Sequence, residues 1–213
     1  MVEIIPSIIA FSKDDFLAKL KKVGDLAKKL HFDVMDGSFV ASKTVASDAL
    51  KGVKIKPKVE AHLMIEEPWL HVKDYTPYCD TVIFHYEACS GEKEALDTIV
   101  RIKGKKRRAG IAINPDTPVS TIRNLIPKLD QVVIMTVVPG QYGAPFVEDA
   151  LKKIKQVRKL NSTIVIETDG SMKVGTARLA AKEGVNQIVV GSAIMFSENP
   201  EKAIAELRND VKL

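Results

Sequence analysis

Leu30-His31-Phe32-Asp33-Val34-Met35-Asp36-Gly37 is a short apolar run interrupted by an imidazole and an acid. Side chains alternate along a strand, so His31, Asp33 and Met35 share one face while Phe32 and Val34 share the other. A histidine and a carboxylate therefore point toward the same interior. Burying them together costs desolvation free energy unless they are paired or bind a metal.

Similar short β-branched or apolar runs recur on both sides of this one. They predict strands over 3–8, 30–35, 59–64, 81–85, 108–113, 131–136, 163–168 and 187–190, with helices filling most of the gaps. The first helix is the clearest. Phe16, Leu20, Val23, Ala27 and Leu30 follow alternating steps of four and three onto one face, Ser12 begins it, Asp14 and Asp15 suit its positive end, and Lys28 and Lys29 its negative end. Eight parallel strands cannot be joined by hairpins. The economical architecture is one α/β domain over 1–213, a (β/α)8 TIM barrel whose active site lies at the C-terminal strand ends. An open doubly wound sheet is the runner-up, but no strand-to-helix turn carries GxGxxG.

The 213 residues are 46% hydrophobic and 28% charged, the balance of a globular protein rather than a disordered one. No stretch approaches the length of an apolar membrane span, and no basic segment precedes the apolar N-terminus, so a cytoplasmic protein without membrane partners is expected. Cys79 and Cys89 lack metal or disulfide spacing and read as ordinary thiols. A formal charge of +5 is compatible with an anionic substrate. The basic run 103–108, KGKKRR, lacks interleaved aromatics and reads as a solvated loop, not a nucleic-acid site. His71 reads as a surface residue.

His62 closes the run 59–64, and Asp169 follows the run ending at Thr168. With His31 and Asp33 they make two imidazoles and two carboxylates, a set that suits Zn2+ and would admit Fe2+, Mn2+ or Co2+. Taken singly, each has a plainer reading: His31–Asp33 as a satisfied buried pair, His62 as a core histidine, Asp169 as a turn acid before Gly170. Their joint appearance at strand ends of one barrel favours the metal.

The segments IIPSIIA, LHFDVMDGSFV, EAHLMI, MTVVPG, ETDG and VVGSAIM, in this order, resemble the ribulose-phosphate 3-epimerase family across nearly the whole chain. The resemblance implies an isomerase of carbohydrate metabolism, in the pentose phosphate pathway. It would epimerise a ketose phosphate at carbon 3 and interconvert D-ribulose and D-xylulose 5-phosphates. It implies His31, Asp33, His62 and Asp169 as metal ligands and Asp33 with Asp169 as the acid/base pair. It also implies Ser7 and His62 as substrate contacts, and Met35, Met64 and Met135 as cavity lining. His85 and Glu87, from FHYEA, match a family segment expected to have a supporting role. Barrels of the family often form homo-oligomers.

The phosphate end departs from the family pattern. The resemblance implies substrate contacts at Gly140, Gly143, Gly170, Ser171, Gly191 and Ser192, with backbone N–H donors to phosphate at Gly143, Gly170, Gly191 and Ser192 and Ser171 able to add a hydroxyl donor. Tyr142 and Ser171 stand where glycine is usual, Ala144 replaces a glutamine, and Pro145 stiffens the turn; 38–42 replaces the family's HFVPN. These changes leave the exact ketose open. A related hexulose 6-phosphate epimerase and a catalytically silent sugar-phosphate-binding barrel are the rivals.

Overall fold

The computed structural model describes residues 2–140 and 143–212; Tyr142 lies outside them. In chain order the elements are β1 (Glu3–Ile9), α1 (Lys13–Val23), β2 (Lys29–Met35), β3 (Lys58–Met64), α2 (Pro68–Tyr75), β4 (Thr81–His85), α3 (Glu92–Gly104), β5 (Arg108–Ile113), β6 (Gln131–Met135), α4 (Lys152–Leu160), β7 (Val165–Asp169), α5 (Thr176–Lys182), β8 (Gln187–Val190), α6 (Ser192–Met195) and α7 (Pro200–Asp210). Each strand pairs in parallel with the next, and β8 returns to β1, closing an eight-stranded (β/α)8 barrel. No described helix is long and apolar enough to cross a membrane.

Register determines which side chains meet. Ser7 lies beside His31, Asp33 beside His62, Met35 beside Met64, and Met135 beside Asp169. The strands' outward residues, Phe32, Val34, Ala61, Leu63, Phe84 and Ile111 among them, are buried in the main core with Phe16, Ile99, Ile154 and Leu207 of the helices. The inward residues differ around the barrel. Ile83, Ala112 and Val133 form an apolar wall on β4 to β6, while β1 to β3, β7 and β8, together with His85 of β4 and Gln131 of β6, direct acids, imidazoles and amides inward. Because hydrophobic burial is satisfied outside the barrel, the interior can carry polar chemistry.

Two expectations need correction, the extent of the first helix and the basic run. Helix α1 ends at Val23, where Gly24 donates its N–H to the Leu20 carbonyl. Glycine is a poor helix former, and Lys29 and Leu30 are held extended by β3, so Leu30 enters the core from the sheet. Lys21 and Lys22, not Lys28 and Lys29, occupy the helix's last turn. Helices fill most of the gaps, as expected; the connections β2 to β3 and β5 to β6 contain only 3-10 turns, at Ser47–Leu50 and at Val119–Ile122 with Ile126–Lys128. The basic run is not one loop: Lys103 belongs to α3, Lys106 turns with φ 57°, and Arg108 opens β5. Arg107 Nε donates to the Thr76 carbonyl and holds this turn to the preceding connection.

Candidate active site

At the C-terminal ends of β2, β3 and β7, four side chains converge. His31 Nε2 lies 3.1 Å from His62 Nδ1 and 3.3 Å from Asp33 Oδ1. His62 Nδ1 lies 3.2 Å from Asp33 Oδ1 and 3.4 Å from Asp169 Oδ2, and His31 Nε2 is 3.8 Å from the latter. Zinc with ligands at about 2.0–2.2 Å spans a tetrahedron with edges of roughly 3.3–3.6 Å. The five distances cluster around that edge. Two ring nitrogens turned toward each other between two carboxylates fit a divalent cation, and these four residues are a group able to hold one.

The electrostatics favour positive charge there. Burial opposes ionisation of Asp33, but facing His31 and His62 outweighs it and holds the carboxyl well below the usual range. Burial likewise opposes charge on His31 and His62. Asp33 and Glu60 nevertheless push His31 well above its ordinary value, and Asp169 with Asp33 raises His62.

Each member is also held from behind. Ser7 Oγ donates to Asp33 Oδ2, leaving Oδ1 toward the imidazoles. His31 Nδ1 lies 2.9 Å from Glu60 Oε1, and Glu60 Oε2 meets Lys29 Nζ at 3.0 Å. His62 Nε2 lies 2.9 Å from His85 Nε2, and His85 Nδ1 is 3.3 Å from Glu87 Oε2. Burial, foremost, lowers His85 against the pull of Glu87, keeping the ring neutral. The Thr136 backbone N–H and Oγ1 both reach the Asp169 carbonyl, at 2.8 and 3.0 Å, fixing the end of β7.

A cavity opens directly above. Ser7, Asp33 and Asp169 line it with Met35, Met64 and Met135. Its far wall contains Gly140, Gly143, Gly170, Ser171, Gly191 and Ser192. His62 is fully buried and does not line this cavity; it faces His31, Asp33 and Asp169 beneath it. Ser171 adopts φ 50° and its hydroxyl donates to the Ala144 carbonyl, tying the β7 turn to the β6 loop. At Gly170, φ is 120° and an added Cβ would lie 2.6 Å from a Val137 methyl. His71 is exposed beside Asp74, and Cys79 and Cys89 are free thiols.

Sequence reading passed over Glu60 and Glu167. Each stands two residues before a site residue, His62 and Asp169, and strand alternation alone would have put both inside the barrel.

Residues 3–195 match the family model described as "Ribulose-phosphate 3 epimerase family". The chain belongs to that family. The ribulose-phosphate 3-epimerase of Schizosaccharomyces pombe is 35% identical over 219 residues, covering 98% of this chain and 93% of the relative. That of Bacillus subtilis is 35% identical over 221 residues, covering 98% and 99%. Epimerase activity on a sugar phosphate is thus the family's chemistry. Among solved structures, a 3-hexulose-6-phosphate synthase aligns with a TM-score of 0.73 at 16% identity, covering 98% of this chain and 99% of its own, a likeness of fold.

Proposed function

We propose that the chain acts as a single catalytic domain, 1–213, that reversibly epimerises carbon 3 of a pentulose 5-phosphate, D-ribulose 5-phosphate to D-xylulose 5-phosphate, with one divalent ion. The observation that carries this reading is the convergence of Asp33 from β2 and Asp169 from β7 on one imidazole pair beneath one cavity.

Inversion next to a ketone requires a proton to leave one face and another to arrive on the opposite face. Asp33 as carboxylate takes the C3 proton, the C–H electrons pass into an enediolate, and Asp169 as carboxylic acid returns a proton from the other side. The reverse reaction exchanges the roles. Ser7 supports Asp33 by occupying its outer oxygen. His31, His62, Asp33 and Asp169 would hold the ion, zinc being the best fit to this donor set, and it would polarise the ketone and share the developing negative charge. Met35, Met64 and Met135 keep the space above the acids apolar and adaptable. In a water-poor cavity the charge interactions strengthen. Main-chain N–H groups at Gly143, Gly170, Ser171, Gly191 and Ser192 would receive the phosphate.

The test is metal content with turnover. Purified protein is expected to hold about one divalent ion per chain and to convert ribulose 5-phosphate, and His62→Ala to lose metal and activity together. Full activity without metal, or unchanged occupancy in that variant, would overturn the metal reading. A panel including a hexulose 6-phosphate separates the pentulose assignment from its nearest rival. No turnover with tight sugar-phosphate binding would return the silent barrel.

A further inference from the structure

His62 has two ring nitrogens, and only one faces the cluster of His31, Asp33 and Asp169. The other, Nε2, faces His85 Nε2 at 2.9 Å. The two ring planes are 15° apart, and the nitrogens are closer than stacked atoms can be, so the rings meet through an N–H···N hydrogen bond. One nitrogen must donate and the other accept, and distance alone leaves the direction open.

The surroundings of Glu87 resolve it. Glu87 Oε1 accepts from the Asn114 backbone N–H and from Thr117 Oγ1, and its Oε2 faces His85 Nδ1. The carbonyls of Asn114 and Thr117 receive the buried ammonium of Lys153 at 2.7 and 2.6 Å. That turn is therefore pinned from below by α4 while it presents donors to Glu87. A carboxylate in such a setting is an acceptor, so His85 Nδ1 carries hydrogen and His85 Nε2 a lone pair. His62 Nε2 must then donate, which leaves Nδ1 as the ring nitrogen turned to Asp33, Asp169 and His31, the one that gives up its proton to a cation bound among them.

We propose that His85 and Glu87 are positioning residues that fix the tautomer and ring orientation of His62, making Nδ1 its metal-binding atom. This rests on the metal reading above and adds what that reading does not contain: hydrogen bonds that converge on Glu87, from the Lys153-pinned 114–117 turn on one side and from His62 through His85 on the other. A second imidazole behind a ligand imidazole transmits the polarity of the carboxylate across two rings. Partners of metal-bound histidines typically govern about 10- to 100-fold in metal affinity.

Side-chain substitutions can keep or destroy the direction. His85→Gln retains it, because an amide oxygen can accept from His62 while the amide nitrogen donates to Glu87. His85→Leu removes it. Glu87→Gln sets an amide donor against donors already in place. The experiment measures Zn2+ affinity of the metal-stripped, full-length protein by chelator competition, and the His62 tautomer by long-range 1H–15N NMR. Zn2+-loaded wild type is expected to show the Nε2–H tautomer. Zn2+ affinity should fall about 10- to 100-fold in His85→Leu and Glu87→Gln and stay within a few-fold of wild type in His85→Gln. Circular dichroism of the metal-free variants keeps a folding defect apart from a loss of affinity. An Nδ1–H tautomer in Zn2+-loaded wild type, or wild-type affinity in His85→Leu, overturns the positioning role while the metal site stands. A wild type that binds no Zn2+ at all overturns the metal reading itself, and the inference with it.

Discussion

Ser171 stands in the left-handed backbone region, φ 50°, while its hydroxyl bonds the Ala144 carbonyl. A side chain in that region costs roughly 1–2 kcal/mol, and the hydrogen bond returns about 0.5–1.5 kcal/mol. Ser171→Gly removes both, so unfolding stability should change by no more than about 1 kcal/mol, with little change in kcat/KM; a denaturant titration and steady-state kinetics check this. Ser171→Trp should instead raise KM, because the residue lines the cavity. Asp33 and Asp169 call for a different measurement, since both also face the metal position. Asp33→Asn and Asp169→Asn should each abolish net epimerisation, yet where metal binding survives, the remaining acid can still exchange the proton of the epimer it faces. Mass spectrometry in deuterated water should find different epimers labelled by the two variants. Wild-type turnover in either would end the two-acid mechanism.

The loops that follow β2, β6 and β7 turn strand ends into a cavity. Asp36 closes β2: its Oδ1 accepts from the N–H groups of Ser38 and Phe39, and its Oδ2 from Glu66 after β3. Partial burial works against its charge, but these backbone bonds prevail and hold its pKa below the ordinary aspartate value. The folded value is the lower one, so its support of the β2 loop is complete above the ordinary aspartate range and is lost as pH falls through the depressed value. An NMR titration should show the Ser38, Phe39 and Glu66 amides moving together at that lowered midpoint, and Asp36→Asn should remove the transition. Gly170 is the corresponding joint of β7. With φ at 120° and Val137 against it, Gly170→Ala should destabilise by about 2–4 kcal/mol, measured by thermal unfolding. Such joints explain what could be read in advance. Strand runs and the parity of His31, Asp33 and His62 are local patterns, so the barrel and the convergence of these side chains were legible. The end of α1 at Gly24 depended on competition from β2, and the start of β7 at Val165 on Asn161, whose side chain accepts from the Thr163 and Ile164 N–H groups. The donor roles of the phosphate-end glycines rest on the family resemblance, because a glycine's backbone direction has no side-chain signature.

Across the whole molecule, the barrel carries two buried polar layers, and the lower one joins most of its strands. Lys29 of β2 contacts Glu60 of β3 at 3.0 Å and Gln187 of β8 at 3.1 Å, Gln187 in turn bonds Glu3 of β1, and Gln131 of β6 reaches Glu60. Glu167 of β7 is buried beside them, 3.6 Å from His31 Nδ1. Burial opposes charge on both acids, but His31 and Lys29 overcome it at Glu60 and bring that carboxyl down to about 2. At Glu167 burial and the neighbouring Glu60 charge act together and push it well above the usual range. The two shifts run in opposite directions, so Glu60 is the acid favoured to carry charge, and Lys29 is the cation beside it at the base of the barrel. Removing one partner of a buried pair leaves a charge without water or counter-ion, a loss of about 3–5 kcal/mol. Lys29→Met should accordingly lower unfolding stability by about that amount, although it lies a full layer below the candidate metal ligands. Lys29→Met combined with Glu60→Gln buries no uncompensated charge, so the double variant should be more stable than the single one. Urea unfolding of all four proteins at one pH gives the coupling directly. Additive losses would mean that Lys29 contributes by packing alone, and the lower layer would then be a set of separate contacts rather than one charge-balanced unit supporting the ligand imidazole above it.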